Sequence, residues 1–373
     1  MPPSKISYLT DVHFGFDAVR VLRGVLEQLS VRRPMVVTDA PLARAGIVER
    51  LGLGAPVVFD KVQTNPTEAS AVEGVAVFRQ HACDGIVAVG GGSPMDLGKA
   101  VALLVHHAPP LEQYAMVRDG TARITSKKPP VVAVPTTAGT GSEAGRAALI
   151  TLLSDEKLAI VSPHLIPDAA VCDPMLTLGM PAGLTAATGV DAISHCVETF
   201  LSPLENPVAD AIALDGLERA VTHVRRVVQE PSNREARKQM MMAALQGGLT
   251  FQKGLGAIHA LSHPMGAMPG KTLHHGTLNA IFLPHVLRFN HDASLASMGS
   301  MADRLGLGSS HQLPDVFARL AEEIGLPTRL SELGVEAKDL DALVPQALQD
   351  HCCATNPRPI TAEDCRMLYE AAL

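Results

Sequence analysis

The sequence predicts an α/β domain followed by an all-α domain. Up to about residue 180, short runs that are apolar at every position alternate with stretches of helix-like spacing. Beyond that point no convincing strand occurs, and runs rich in Ala, Leu and Met follow one another. At 373 residues and 47% hydrophobic content, the chain is long and apolar enough for two sizeable cores in a soluble globular protein. The expected domains are 1–180 and 181–373.

In the first domain the strand candidates are 34–38, 85–90, 130–134 and 169–172. Strands that are apolar throughout, with helices between them, indicate a parallel sheet covered on both faces. Helix-like spacing over 16–29, 69–80 and 94–106 supplies the covering layers. In the second domain the spacing predicts helices over 184–201, 207–230, 234–250, 256–265, 278–289, 311–323, 337–351 and 361–373. The last opens on Thr361, followed by Glu363 and Asp364, a capped start with acids in the first turn.

Composition narrows the partners. The net charge is −7, aromatics are 3% and Trp is absent. Neither a basic surface nor a stacking platform for bases is present, which argues against nucleic acid. No apolar run approaches the ~20 residues of a membrane span. The N-terminal stretch lacks a signal-peptide layout, and the six cysteines form no CxxC. These features fit reduced thiols in a cytoplasmic protein.

Gly90-Gly91-Gly92-Ser93-Pro94 follows a strand and opens a helix, with Pro94 expected at the first helical position. Glycines let the backbone approach a ligand, and the free amides at the helix start attract an anion. Asp96 would complement the same helix dipole. The loop matches neither GxGxxG nor a Walker loop; it is read as a phosphate site on context. Asp39, at the end of the first clear strand, suits adenosine-ribose hydroxyls and favours NAD over NADP. A third loop, 135–143, carries the hydroxyls of Thr136, Thr137, Thr140 and Ser142, suited to a nicotinamide–ribose–pyrophosphate contact.

The stretch 255–285 holds five of the fifteen histidines: His259, His263, His274, His275 and His285. His259 and His263 are four apart in a helical run and so share a face. Asp191 and His195 form a second pair of the same spacing. Asp191, His195, His259 and one of His274 and His275 make a ligand set for Fe(II) or Zn(II).

Together GGGSPMDLGKA, PTTAGTGSE, LTAATGVDAISHCVE, GLGAIHALSHPMGA, HHGTLNAIFLPH and TNPR resemble the iron-containing (group III) alcohol dehydrogenases over nearly the whole chain. The resemblance implies a Rossmann-like dinucleotide domain, a helical domain and a metal in the cleft between them, an architecture shared with dehydroquinate synthase. It implies reversible NAD(P)-dependent oxidation of alcohols to aldehydes. By motif, Asp191, His195, His259 and His275 correspond to the metal ligands and His263 to an active-site histidine near the nicotinamide. Gly92, Ser93, Thr136, Thr137, Thr140 and Lys157 fall at cofactor positions, Asp39 at the position associated with NAD preference, and Gly91 lies in the same glycine loop, read above as docking the pyrophosphate. Lys253 and Arg146 are candidates to favour a substrate with an anionic tail. The expected enzyme is a cytoplasmic homodimer acting on a small alcohol or aldehyde with NAD(H) and Fe2+ or Zn2+. On the same fold, polyol dehydrogenases and an NAD-containing lyase are the rivals.

Overall fold

The computed structural model describes residues 10–154, 156–268 and 270–373. Of these, 10–137 and 141–178 form one compact unit, and 138–140 with 179–373 form the other.

Among the described residues the first unit holds eight strands: β1 (Asp11–Phe14), β2 (Pro34–Val37), β3 (Val57–Phe59), β4 (Gly85–Gly90), β5 (Val131–Pro135), β6 (Ala147–Thr151), β7 (Lys157–Val161) and β8 (Ala169–Cys172). Six pair in parallel in the order β1-β8-β5-β4-β2-β3. Alternation along each strand sends side chains to two separate cores. Met35, Val37, Ile86 and Ala88 enter one, while Val36, Val87, Val89 and Val132 enter the other. This double burial is why the strands read as apolar at every position. The helices of this unit are α1 (Leu22–Gln28), α2 (Ala40–Arg44), α3 (Ile47–Arg50), α4 (Glu68–Gln80) and α5 (Gly92–His106).

Several elements differ from the expectation. β6 and β7 form an antiparallel hairpin outside the main sheet. β1 and β3 were not expected: β1 carries Asp11 and His13 in place of an apolar run, and β3 is only three residues long. Asp39 does not end β2 but caps α2, accepting from the Leu42 amide at 2.8 Å. α5 starts at Gly92 with Gly91 as its cap, which moves Pro94 from the first helical position to the third. Proline is tolerated there because the first four amides of a helix have no intrahelical acceptor.

Topology places the ligand edge. From β2 the chain goes on to β3 on one side, and from its neighbour β4 it goes on to β5 on the other. Adjacent strands whose connections diverge leave a crevice beyond their C-terminal ends. Asp39 lies just past the end of β2, and Gly91 just past the end of β4.

The second unit consists of α6 (Ala182–Leu201), α7 (Pro207–Gln229), α8 (Arg234–Thr250), α9 (Ala257–Met265), α10 (His275–Asn290), α11 (Leu295–Arg304), α12 (Leu313–Glu323), α13 (Leu340–Gln349) and α14 (Ala362–Ala372), with short 3-10 turns between them. α6 is buried on nearly all sides from Thr185 to Leu201 and packs against α7, α8 and α10. Polar residues on so enclosed a helix must be satisfied by one another or by a ligand. α11 is absent from the sequence expectation.

Candidate functional site

Asp191 and His195 sit one turn apart on α6, His259 lies on α9, and His275 opens α10. The Nε2 atoms of His195, His259 and His275 stand 3.7, 3.9 and 3.7 Å from Asp191 Oδ1. Four donors around one metal at about 2.0–2.2 Å would be separated by roughly 3.3–3.6 Å. His274, the alternative to His275, is the exposed residue that precedes α10.

The other ring nitrogens are all engaged. His195 Nδ1 is 3.1 Å from the Gly139 carbonyl, which fixes it as the donor there. His259 Nδ1 meets Glu198 Oε2, and the second oxygen of Glu198 accepts the Ile258 amide at 2.6 Å. His275 Nδ1 lies 3.4 Å from Ser262 Oγ. With every Nδ1 held outward, each Nε2 lone pair is directed inward, the orientation that hydrogen-bond partners of the far ring nitrogen impose on metal-binding histidines.

Burial pulls the His195 imidazole down to about 4, so it is neutral and able to coordinate. Burial also opposes protonation of His259, but the Glu198 carboxylate outweighs it and holds the ring above its ordinary value. Asn279 enters the same space: its Nδ2 lies 2.8 Å from Asp191 Oδ1, 3.2 Å from His259 Nε2 and 3.1 Å from His275 Nε2. Its Oδ1 is buried without a partner among the described residues. Convergent nitrogen and oxygen donors and an orphaned buried oxygen fit a bound divalent metal.

Close helix packing builds this centre. A Cβ on Gly276 would fall 2.2 Å from the Ala187 carbonyl oxygen and 3.2 Å from Asp191 Cβ. Only glycine lets α10 approach α6 closely enough there for the adjacent His275 to reach Asp191.

His263 is placed beside the Asp191, His195, His259 and His275 cluster rather than within it. Its ring stacks on His275 at 5.3 Å and on His351 at 6.1 Å, both at 14°. Its Nδ1 is 2.8 Å from Asp350 Oδ2. Burial opposes ionisation of Asp350, but the His263 charge and hydrogen bond outweigh it and keep the carboxyl well below its usual range.

In the sheet unit, Gly90 has φ +144°, and a Cβ there would lie 2.6 Å from Pro94 Cγ, so the turn into α5 needs glycine. The cap Gly91 offers no side chain, leaving the amides of Gly92 and Ser93 free for a ligand. The Thr136 amide donates to the Gly90 carbonyl at 2.9 Å, tying the β5 loop to the β4 loop. The hydroxyls of Thr38 and Thr137 are buried without partners among the described residues. Thr38 immediately precedes Asp39, so both orphans lie by strand ends at the crevice edge, as a bound cofactor would require.

Other expected cofactor residues are engaged within the unit. Asp96 accepts from Ser142 Oγ at 2.7 Å and from the Leu149 amide at 3.1 Å. Lys99 Nζ donates to Ser142 Oγ at 2.7 Å and to the carbonyls of Gly145 and Ala147 at 3.0 and 2.9 Å. Asp96 and Ser142 therefore shape the loop from inside. Lys157 Nζ donates to Asn65 Oδ1 at 2.7 Å. Thr140 belongs with the helical unit, next to the Gly139 that holds His195. Lys253 is buried and its ammonium pairs with Asp210, so it offers no unpaired charge. Arg146 has no ion-pair partner among the described residues, and burial lowers its pKa.

Sequence reasoning missed Glu198, Ser262, Asn279 and Asp350. Glu198 stands at i+7 from Asp191 on α6, and Asn279 at i+4 from His275, spacings that could have revealed both. Gly139 and Asp350 come from distant segments and carry no such signal.

Two family models match the chain. One described as "Iron-containing alcohol dehydrogenase" covers residues 10–174, and one described as "Fe-containing alcohol dehydrogenase family, C-terminal" covers 185–373. A 4-hydroxybutyrate dehydrogenase of Cupriavidus necator is 48% identical over 99% of both chains. The crystal structure of a 1,3-propanediol oxidoreductase superposes with TM-score 0.93 at 35% identity, covering 99% of this chain and 100% of that one. A sulfoacetaldehyde reductase from Bifidobacterium kashiwanohense, solved with NAD+, gives TM-score 0.90 at 28% identity over 99% and 98%.

Proposed function

The chain belongs to the iron-containing alcohol dehydrogenase family, and on that premise we propose that it transfers hydride reversibly between a small primary alcohol and NAD+. The observation that carries this reading is the convergence of three imidazole Nε2 atoms on one oxygen of Asp191, each with its Nδ1 engaged elsewhere.

When bound at Asp191, His195, His259 and His275, an iron or zinc ion supplies Lewis-acid polarisation of the alcohol or carbonyl oxygen. Gly139, Glu198 and Ser262 hold the three rings in the coordinating tautomer. Asp350 accepts the Nδ1 proton of His263, leaving Nε2 as the acceptor for the proton the alcohol gives up. Gly91, Gly92 and Ser93 bind pyrophosphate through backbone amides, and Asp39 accepts from the adenosine ribose. Thr137 directs its otherwise unpartnered hydroxyl to the same cofactor.

For the substrate we propose an ω-hydroxy acid of about four carbons. Two features support it: the 48% identity to a 4-hydroxybutyrate dehydrogenase, and Arg146, a partly desolvated guanidinium without a carboxylate partner among the described residues. A guanidinium in that state gains from a carboxylate through paired charged hydrogen bonds. The same reading takes the enzyme as a cytoplasmic homodimer, in keeping with six free cysteines and the exposed Met116, Val117 and Leu153.

The test follows NADH absorbance over a panel containing 4-hydroxybutyrate, 1,3-propanediol and ethanol, with Fe2+ or Zn2+ added. Net NADH formation is expected, fastest with the hydroxy acid, and His259→Ala abolishes it while NADH still binds. No net NADH from any alcohol would favour a lyase that regenerates its cofactor. Activity surviving both chelation and His259→Ala would remove the metal from the reading.

A further inference from the structure

Arg237, in the first turn of α8, is 2% exposed. Its Nε donates to the Pro231 carbonyl at 3.0 Å, and its Nη1 to Thr185 Oγ1 at 3.1 Å, with Met180 Sδ at 3.8 Å. Nη2 is buried and has no partner among the described residues. Burial alone acts on its pKa, lowering it, and no carboxylate raises it. A guanidinium removed from water without a counter-charge is costly.

Arg237 lines a small cavity with Ala138, Met180, Thr185, Thr188 and Met240, which has room for about one water-sized particle. Two helix N-termini lie at this cavity, since Thr185 is in the first turn of α6 and Arg237 in that of α8. Both contribute positive partial charge. The C-terminal end of α7 answers through the Pro231 carbonyl, but that engages only Nε. Thr185 accepts from Nη1 and keeps its own proton to donate, whereas Thr188 directs its proton to the Leu184 carbonyl. The surroundings are therefore positive, and the residues bordering the otherwise apolar space offer two unused donors, Arg237 Nη2 and the Thr185 hydroxyl.

We propose that this cavity is a binding site for one small monovalent anion of the halide class, held by Nη2 of Arg237 and the hydroxyl of Thr185. The site is separate from the metal ligands but adjoins their support. Ala138 lines the cavity, and the next residue, Gly139, accepts the proton of His195 Nδ1. Thr188 also packs on Gly139, where a Cβ would lie 2.6 Å from Thr188 Cβ. An anion here braces residues 138–140 from behind.

The experiment uses the metal-loaded enzyme. Crystals grown in sodium bromide are expected to show one anomalous peak within hydrogen-bond distance of Arg237 Nη2. In solution, Tm is expected to be a few degrees higher in sodium chloride than in sodium methanesulfonate of equal ionic strength, since methanesulfonate is too large for the cavity. Arg237→Met removes that difference. If the variant does not fold, Thr185→Val is used, and the chloride advantage is expected to shrink. No bromide peak with equal Tm in both salts overturns the proposal and leaves a hydrated guanidinium. A bromide peak without any Tm difference marks an adventitious ion only and overturns it too, as does an unchanged chloride advantage in Thr185→Val.

Discussion

Asp350 Oδ2 lies 2.8 Å from His263 Nδ1, and the other oxygen of the same carboxylate accepts the Cys352 amide at 2.8 Å. The carboxylate is thus fixed by the backbone before it touches the ring. It determines which nitrogen of His263 carries the proton, as the buried aspartate of a hydrolytic triad does for its histidine. Asp350→Asn keeps the shape and removes the charge. kcat is expected to fall about 10²-fold, within the range for a positioned acid–base group. KM, metal content and NADH binding should change little. A kcat within twofold of wild type would show that Asp350 only anchors the backbone.

Glu198 is predicted to control metal affinity without touching the metal. It holds His259 through Nδ1 and is itself held by the Ile258 amide. Glu198→Gln should weaken metal retention by about 10–100-fold, the usual effect of losing such a partner. Competition with a chelator, read as metal per chain, measures this directly. Unchanged retention would assign Glu198 to the helix rather than to the centre.

Gly276 tests the packing argument. An added methyl would overlap the Ala187 carbonyl, a backbone atom that cannot swing aside. Gly276→Ala is expected to cost about 1–3 kcal/mol of stability, as overpacking does. It should also lower metal occupancy, because His275 moves with its neighbour. Urea denaturation of the metal-free protein separates the first effect from the second.

Asp39 caps α2, and the proposed function also has it hold the adenosine ribose; one substitution can divide the two roles. Asp39→Gly costs the α2 cap only a few tenths of a kcal/mol, because glycine is itself a tolerated cap. The loss of the carboxylate should raise the kcat/KM ratio of NADP+ to NAD+. A ratio that does not move while stability is kept would reduce Asp39 to its capping role.

Glu143, 2% exposed, gives a pH prediction. Burial raises its pKa from 4.5 to about 7. The folded state therefore holds the proton more tightly than the unfolded chain does. Its contribution is fully favourable below about pH 4.5 and is lost as pH rises to about 7. Glu143→Gln should make the urea midpoint less dependent on pH across that window than it is in the wild type. Parallel profiles for the two proteins would contradict the buried, protonated state.

Much of this was readable in the sequence where one element carries the whole signal. β4 and β5 are buried on both faces, so each residue had to be apolar. Asp191 with His195, and His259 with His263, show themselves by sharing a helix face. The β6–β7 hairpin was not read, although AALIT and KLAIV are four-fifths apolar: their apolar content does not reveal that they pair antiparallel outside the main sheet. The pairing of Lys253, a candidate for an anionic tail, was not readable: its partner Asp210 lies 43 residues away, and nothing in FQKGLG announces it. Gly139 was invisible as a support for His195 for the same reason, since a backbone carbonyl leaves no trace in residue identity.

The membership of residues 138–140 in the helical unit bears on how such a protein can be inherited. A recombination event near residue 179 would transmit all four proposed metal-binding residues intact, yet leave behind the carbonyl that holds His195 Nδ1. The two halves of the gene are therefore not interchangeable cassettes. A chimera with a foreign first half must bring its own residue at position 139 with a small enough profile to lie against Thr188.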